Sequence, residues 1–435
     1  MSITKRALLA QSQLAHAAGL QVDYENNRFT RLAGARGRAA GTDFDCFAPF
    51  GGRRRCCVAN DGAVNAFYGE AGYAEDGSNG QVMVYQPRFY YRVEPLLLAP
   101  SATGVGSILK KANYFVSSLP LPGFRLHPAF YGRNGTPVDH ILLSAYEASY
   151  YDASLGGYFT DGTDTDRTID NAADRLCSLA GKKPISGLTK PLTADTAEEL
   201  AKARGAGWHV DTVKTCAANQ LLMIIEYGCM SLQEALGYGL SSIPDTSGVN
   251  CSSLTGSTAS LGNASGMAAG TVNEKRGAVT SYTENGRVAI SYRGLENPWG
   301  NIWKMLAGIN VYGDGASAGG AVYIAGDLSF QMGKRDGNYA AAGITLPNAT
   351  GNIGAMAYGA SAYDWLFIPA QTNGSNPTPV GDYMTVSPNL NGYRLPIFGG
   401  RWSYGNLNGE FCMGASNRMD YCGAGLGCRL VCFPA

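Results

Sequence analysis

Glycine occupies 58 of the 435 positions, about 13% against a usual share of about 7%. That much glycine marks a chain of many turns. Charge is thin: 34 Lys+Arg balance 34 Asp+Glu, and charged residues make up 16% of the chain, against about 25% in ordinary soluble domains. A neutral chain offers no electrostatic footprint to nucleic acid or to an anionic membrane surface. At 45% apolar and 10% aromatic it can bury a large core, which excludes wholesale disorder. The length suits two to four domains of about 100–200 residues each. The profile predicts a turn-rich, mostly β or α+β particle with an uncharged surface.

The 11 cysteines are scattered, and no C-x-x-C occurs. A chain this long needs no disulfide framework, so the pattern points to intracellular synthesis, with the thiols as small buried or half-exposed hydrophobes. The longest apolar stretch, Leu221 to Ile225, falls far short of the roughly 20 residues of a bilayer span. Near the start, Lys5-Arg6 precede Ala7-Leu8-Leu9-Ala10, but Gln11, Ser12, Gln13 and His16 interrupt any signal-peptide core. A short amphipathic helix or docking segment is expected there.

Residues 1–80 are rich in Gly and Arg, and Arg53-Arg54-Arg55 reads as a solvated or interfacial loop. Alternation predicts strands within 81–93, interrupted near Pro87, and another over 140–148. Thr193 or Asp195 can cap a helix that exits at Gly205, and Asp211 can cap a second one reaching Tyr227, with Gly228 ending it. Residues 241–270 are rich in Ser, Gly, Thr and Asn and read as a surface insertion. Short strands are expected at 288–292, 309–312, 321–324 and 362–368, and a closing strand at 428–433.

Familiar catalytic motifs are missing. There is no G-x-x-x-x-G-K-[ST], no H-E-x-x-H and no paired-cysteine knuckle. His16, His127, His140 and His209 have no ligand-like spacing and read as structural. Gly315-Ala316-Ser317-Ala318-Gly319 fits the G-x-S-x-G nucleophile elbow, but strands flank it on both sides and every histidine precedes it. It reads as a hairpin loop. Gly423-Ala424-Gly425-Leu426-Gly427 opens a strand and not a helix, so it lacks the dipole of a phosphate loop. No cofactor and no metal are expected.

Three segments carry a resemblance. Tyr292-Arg293-Gly294-Leu295-Glu296-Asn297-Pro298-Trp299-Gly300-Asn301-Ile302-Trp303 resembles the G-N-[VI]-W-E-W signature of C-type lectin folds of the formylglycine-generating-enzyme type. The helix pair at 195–227 takes the place of that family's helices, and Gly399–Leu430 resembles its R-G-G-S-W … G-F-R ending. The ending also resembles the variable region of diversity-generating retroelement target proteins, including phage receptor binders of the major-tropism-determinant kind. Upstream segments such as Asp76-Gly77-Ser78-Asn79-Gly80 and His127-Pro128-Ala129-Phe130 resemble phage tail proteins.

The resemblance implies an α+β, C-type lectin-like domain over 81–435, with many short strands and two central helices. A small, mostly β tail-attachment or oligomerisation region over 1–80 precedes it, and a variable ligand-binding region spans 399–430. Asn301, Trp303, Trp402, Phe411, Leu426 and Arg429 would be its structural anchors. Arg401, Ser403, Tyr404, Asn406, Leu407, Cys412, Gly414, Ser416, Met419, Asp420, Tyr421 and Gly423 would form the displayed surface. Tyr, Ser, Asn, Gly and Arg are what binding loops favour, because they combine rigid amphipathic area with adaptable hydrogen bonding.

The implied partners are a bacterial surface receptor, protein or glycan, and other phage tail proteins. The implied assembly is a homotrimer in the virion tail, made in the bacterial cytoplasm, without nucleic acid or membrane insertion. A passive tail or baseplate component is one alternative. A copper-dependent oxidase using two of Cys422, Cys428 and Cys432 is another.

Overall fold

The computed structural model describes residues 16–160, 164–243, 252–269, 271–275, 278–282, 284–315, 319–332 and 337–434. The docking segment expected before His16 lies outside these residues, as do Cys251 and Ser317. The described chain is mostly β, with few helices.

The strands expected within 81–93 form as Gln81–Pro87 and Tyr90–Pro100. Gln81–Pro87 lies inside a six-stranded sheet ordered Trp208–Val210, Leu430–Cys432, His140–Ser144, Gln81–Pro87, Arg54–Val58 and Val64–Phe67. Consecutive residues such as Val82, Met83 and Val84 are buried, so both faces of this sheet are covered and its strands read as apolar runs. The C-terminal strand enters the middle of the sheet, between Trp208–Val210 and His140–Ser144.

A second sheet is built on Ser107–Ser117, which pairs with both Ala17–Asp23 and Tyr90–Pro100. Residue 80 therefore marks no break. Strands on either side of it share a ladder in each sheet, and one hydrophobic cluster runs from Ala18 to Phe433.

The arginine triplet is not a solvated loop. Arg54 and Arg55 begin a strand, Arg53 directly precedes it, and alternation turns Arg54 outward, over Phe67 and beside Glu70. Arg53 and Arg55 turn inward and are 2% and 0% exposed. Arg53 donates to Asn219 Oδ1 (2.6 Å) and Gln86 Oε1 (3.0 Å), and its guanidinium lies over Tyr292. Arg55 donates to the Gly294 carbonyl (2.8 Å) and Thr258 Oγ1 (2.9 Å), over Tyr146. Arg55 also pairs with Glu75 at 3.3 Å, and these bonds and ring faces offset part of the cost of burying a cation.

Helices form at Ala194–Lys202 and Val213–Tyr227. Thr193 caps the first by accepting from Thr196 N–H. The second is capped by Thr212 and not Asp211: Thr212 and Thr215 form a reciprocal capping box, and the Asp211 carboxylate accepts from both. It ends at Gly228 in the left-handed region (φ 71°). Leu221 through Ile225 are all buried, so this helix is covered all round and not on one face.

Two further expectations fail in whole or in part. The Ser/Gly-rich insertion reaches the surface at Ser260, Ala264, Met267 and Ala269, but Ser241, Ser252, Ser253, Thr255 and Thr258 are buried. The buried Glu296 carboxylate accepts from Gly256 N (2.8 Å), Thr258 N (2.7 Å) and Thr258 Oγ1 (2.8 Å), pulling the segment inward. No strand forms over 362–368. A 3-10 turn at Ser361–Tyr363 is closed by Trp365 Nε1 donating to the Ala362 carbonyl, and Trp365 through Ile368 are consecutively buried.

Two sheets position the C-terminal region. One is ordered Gly351–Asn352, Tyr383–Thr385, Met413–Gly414, Ile397–Phe398, Trp303–Met305 and Leu426–Gly427. The other is ordered Tyr339–Thr345, Ala321–Ala325, Ile309–Asp314 and Asn391–Arg394. Ile309–Asp314 and Ala321–Ala325 pair as an antiparallel hairpin, so Gly315 and Gly319 stand in hairpin and not elbow context.

Candidate ligand-binding face

The face hangs from a buried knot. Residues 292–303 are almost wholly enclosed, with Arg293, Asn297 and Asn301 in the left-handed region. Asn301 Nδ2 donates to Glu147 Oε2 (2.6 Å), and Asn301 Oδ1 accepts from Ser253 N (2.7 Å). Arg429 donates to the carbonyls of Glu296, Asn297 (2.8 Å) and Ser144 (3.3 Å). Lys304 donates to the Gly300 carbonyl (2.6 Å) and lies 3.4 Å from Glu147. Trp303 and Leu426 are parallel strand partners.

From this knot the chain turns at Gly399 and Gly400. A Cβ on Gly400 would meet Asn408 Oδ1 at 1.6 Å, so only glycine fits. Asn408 Nδ2 donates to the Arg401 carbonyl (2.7 Å) and closes the turn that contains Ser403, Tyr404, Asn406 and Leu407. Neighbouring segments pin the same turn. Gly405 N donates to the Ser241 carbonyl, Ile243 N to the Trp402 carbonyl, and Asn376 Nδ2 to the Asn406 carbonyl. Trp402 is buried in a small cluster with Leu240, Ile243, Ala268 and Ala289. Phe411 is buried beside Phe367, and its N–H donates to Asp382 Oδ2 (2.6 Å). Burial pushes the Asp382 carboxyl well above its usual range.

Between these anchors the side chains divide. Ser403, Asn406, Asp420 and Tyr421 are exposed. Arg401, Tyr404, Leu407, Ser416, Met419 and Gly423 are half-buried. The Arg401 guanidinium lies 5.3 Å from the Trp402 ring centre and 5.5 Å from that of Tyr404. The Tyr404 ring meets Trp303 edge-on at 5.2 Å, and burial raises its phenol. Gly425 lets this stack form, since a Cβ there would come within 3.0 Å of Arg401. Cys412 and Gly414 leave the surface: both are buried, and a Cβ on Gly414 would press on Ile397 at 2.8 Å. Their place in and beside the Met413–Gly414 strand, between Tyr383–Thr385 and Ile397–Phe398, explains it.

Sequence reasoning missed Glu147, Glu296 and Asp382. Each serves partners far along the chain, and no spacing pattern signals such a contact. A small cavity of about 30 Å³ behind the knot is lined by Asp211, Lys304, Glu410 and Arg429 among others. Burial raises Asp211 to about 6 and lowers Lys304 to about 8. The space accommodates a water or two and no substrate. Burial also pushes the Cys428 and Cys432 thiols up to about 12, which disfavours the thiolates a copper pair needs. Among the described residues, no three His, Cys, Asp or Glu side chains group as a metal site.

No protein-family model matches the chain, and no curated protein matches it. Among solved structures it is similar to the Major Tropism Determinant P3c variant, at 12% identity and a TM-score of 0.30, covering 93% of this chain and 77% of that one. The U1 variant gives 12% identity and a TM-score of 0.29, over 91% and 73% of the two chains. The M1 variant gives 12% and 0.28, over 93% and 76%. At that overlap the likeness carries nothing about what this chain binds.

Proposed function

We propose that the chain is a phage tail-tip receptor-binding protein that grips a bacterial surface ligand with the face carried by residues 401–425. One observation carries this reading: a backbone pinned by buried Trp402, Phe411 and Leu426 presents Ser403, Asn406, Asp420 and Tyr421 to solvent. A rigid frame with adaptable polar and aromatic tips between its pins is how binding loops are built. The order of the three resembling segments along the sequence supports a C-type lectin-like frame for it. The buried Cys428 and Cys432 thiols weigh against the copper-oxidase alternative.

Self-association as a homotrimer and attachment to other tail proteins in the virion belong to the same reading. Leu96, Leu97 and Leu98, at 48%, 48% and 41% exposure, supply an apolar patch on the Tyr90–Pro100 strand. Light scattering should find an oligomer at micromolar concentration, and a stable monomer would remove that part of the proposal. The function is tested by binding of fluorescently labelled protein to a panel of bacterial strains. Strains that bind the wild-type chain should bind Tyr421→Ala and Asp420→Ala variants measurably less. Equal binding by both variants would place the contact surface elsewhere.

A further inference from the structure

We propose that a second pocket borders this face, an open groove that binds a saccharide bearing a carboxylate. The proposal rests on the receptor-binding reading and supplies the ligand chemistry that reading leaves open. The groove measures about 600 Å³, within the range of small-molecule sites. One side is the edge strand Asn391–Arg394, and the other is the loop Arg418, Met419 and Asp420. Leu395 N donates to the Asn417 carbonyl (2.9 Å), which fixes the loop against the strand. Met419 packs on the core from this loop, and the groove joins the face through Met419 and Asp420, which both share.

The polar groups lining it have a consistent chemistry. Arg394 is half-buried and lines the groove; its Nη1 donates to the Tyr393 carbonyl, and its Nε is shielded from solvent and so is not itself a donor to the groove. Among the described residues, no carboxylate forms an ion pair with Arg394. Arg418 pairs with Asp420 at 3.3 Å, but their side chains are 78% and 72% exposed. An exposed pair of that kind holds its partners weakly. Two guanidinia therefore face one groove against a single carboxylate, in a chain whose formal net charge is zero. Guanidinium is the side chain best shaped to grip a carboxylate by two parallel hydrogen bonds.

The remaining groups point to a sugar. The Tyr393 ring is held edge-on by Tyr312 at 5.0 Å and offers an apolar face with a polar tip. Asn391 and Asp420 can read hydroxyls. A uronic acid and a sialic acid share the required carboxylate.

The test measures binding of trigalacturonic acid, sialyllactose and neutral lactose to the full chain by calorimetry. At least one acidic sugar should bind about tenfold or more tightly than lactose, and Arg418→Gln and Arg394→Gln should each weaken it about tenfold. The Arg418→Gln variant should keep the wild-type melting temperature, because that side chain is exposed. Equal binding of acidic and neutral sugars, no binding of either acid, or wild-type affinity in Arg418→Gln would overturn the proposal. Cell binding separates this failure from failure of the parent reading. If Tyr421→Ala loses cell binding while Arg418→Gln and Arg394→Gln keep it, only the groove falls. If Tyr421→Ala and Asp420→Ala both bind cells normally, the face itself is refuted.

Discussion

The stretches 292–303 and 401–425 look alike as text and could hardly differ more in space. Both mix Gly, Asn, Arg and Trp with little periodicity. The first is enclosed: Asn297, Asn301 and Glu296 are 0% exposed. The second leaves Ser403, Asn406, Asp420 and Tyr421 in solvent. The difference lies in what meets them from elsewhere in the chain. Glu147, Ser253, Thr258 and Arg429 converge on the first stretch and satisfy its polar groups. In the second, the pinning bonds run mostly through backbone carbonyls, at Ser241, Trp402, Asn406 and Arg401, and leave several side chains without a structural duty. Such side chains can change without cost to the fold, and that freedom is what a recognition surface needs.

The largest expected effect is in the enclosed stretch. Glu296→Ala orphans three donors and removes a counter-charge near Arg55, so it should cost about 3–5 kcal/mol in urea unfolding. A cost under about 1 kcal/mol would mean the knot is not what holds the region. Trp402→Ala should cost about 3 kcal/mol, toward the low end for its type because its cluster is small.

Acid titration sharpens the contrast further. Burial raises Asp211 to about 6 from 3.8, so the folded chain holds that proton more tightly than the unfolded chain. Its contribution to stability therefore falls as pH rises from about 4 through 6 and is flat above. Asp211→Asn removes this dependence and should gain on wild type by on the order of 2–3 kcal/mol between pH 4 and pH 7. Parallel stability curves for the two proteins would contradict it.

The smallest effect on the fold, and the most telling, is expected at Tyr421. With 43% of the residue exposed, Tyr421→Ala should move stability by about 0.5 kcal/mol or less and weaken cell binding by about 1–3 kcal/mol if it is a hot spot. Arg401→Ala and Tyr404→Ala should affect both readouts, because their stack with Trp402 and Trp303 is part of the frame.

What was legible in the sequence follows the range of the cause. The helix ends at Thr193 and Gly228 are set by neighbours three or four residues away, and they stand where local signals put them. The anchors Trp402, Phe411 and Leu426 are large apolar residues among turn formers, and they are buried. Arg53 and Arg55 misled because a charged triplet looks like surface unless Tyr146, Tyr292 and Gly294 are known to lie opposite. The insertion misled for the same reason, since the Glu296 carboxylate that draws it inward is 38 and 40 positions away. Residues 362–368 misled differently: consecutive burial looks like a strand in a covered sheet, and here it is a turn plugged into the core. Cys412 and Gly414 were placed on the face because their neighbours in sequence are there, and their neighbours in the sheet decided otherwise.

The position of the Leu430–Cys432 strand has a bearing on how the chain is made. It sits between His140–Ser144 and Trp208–Val210, and Leu430 N donates to Ser144 Oγ across 286 positions. At roughly 5–20 residues per second of synthesis, His140–Ser144 leaves the ribosome on the order of 15–60 s before its neighbour exists. Through that interval a strand with apolar faces has one open edge, the arrangement most prone to pair with the wrong chain. Biogenesis of this protein therefore has to shield a half-built sheet, and a holdase on the nascent chain, or slow association of nascent copies, would decide its yield.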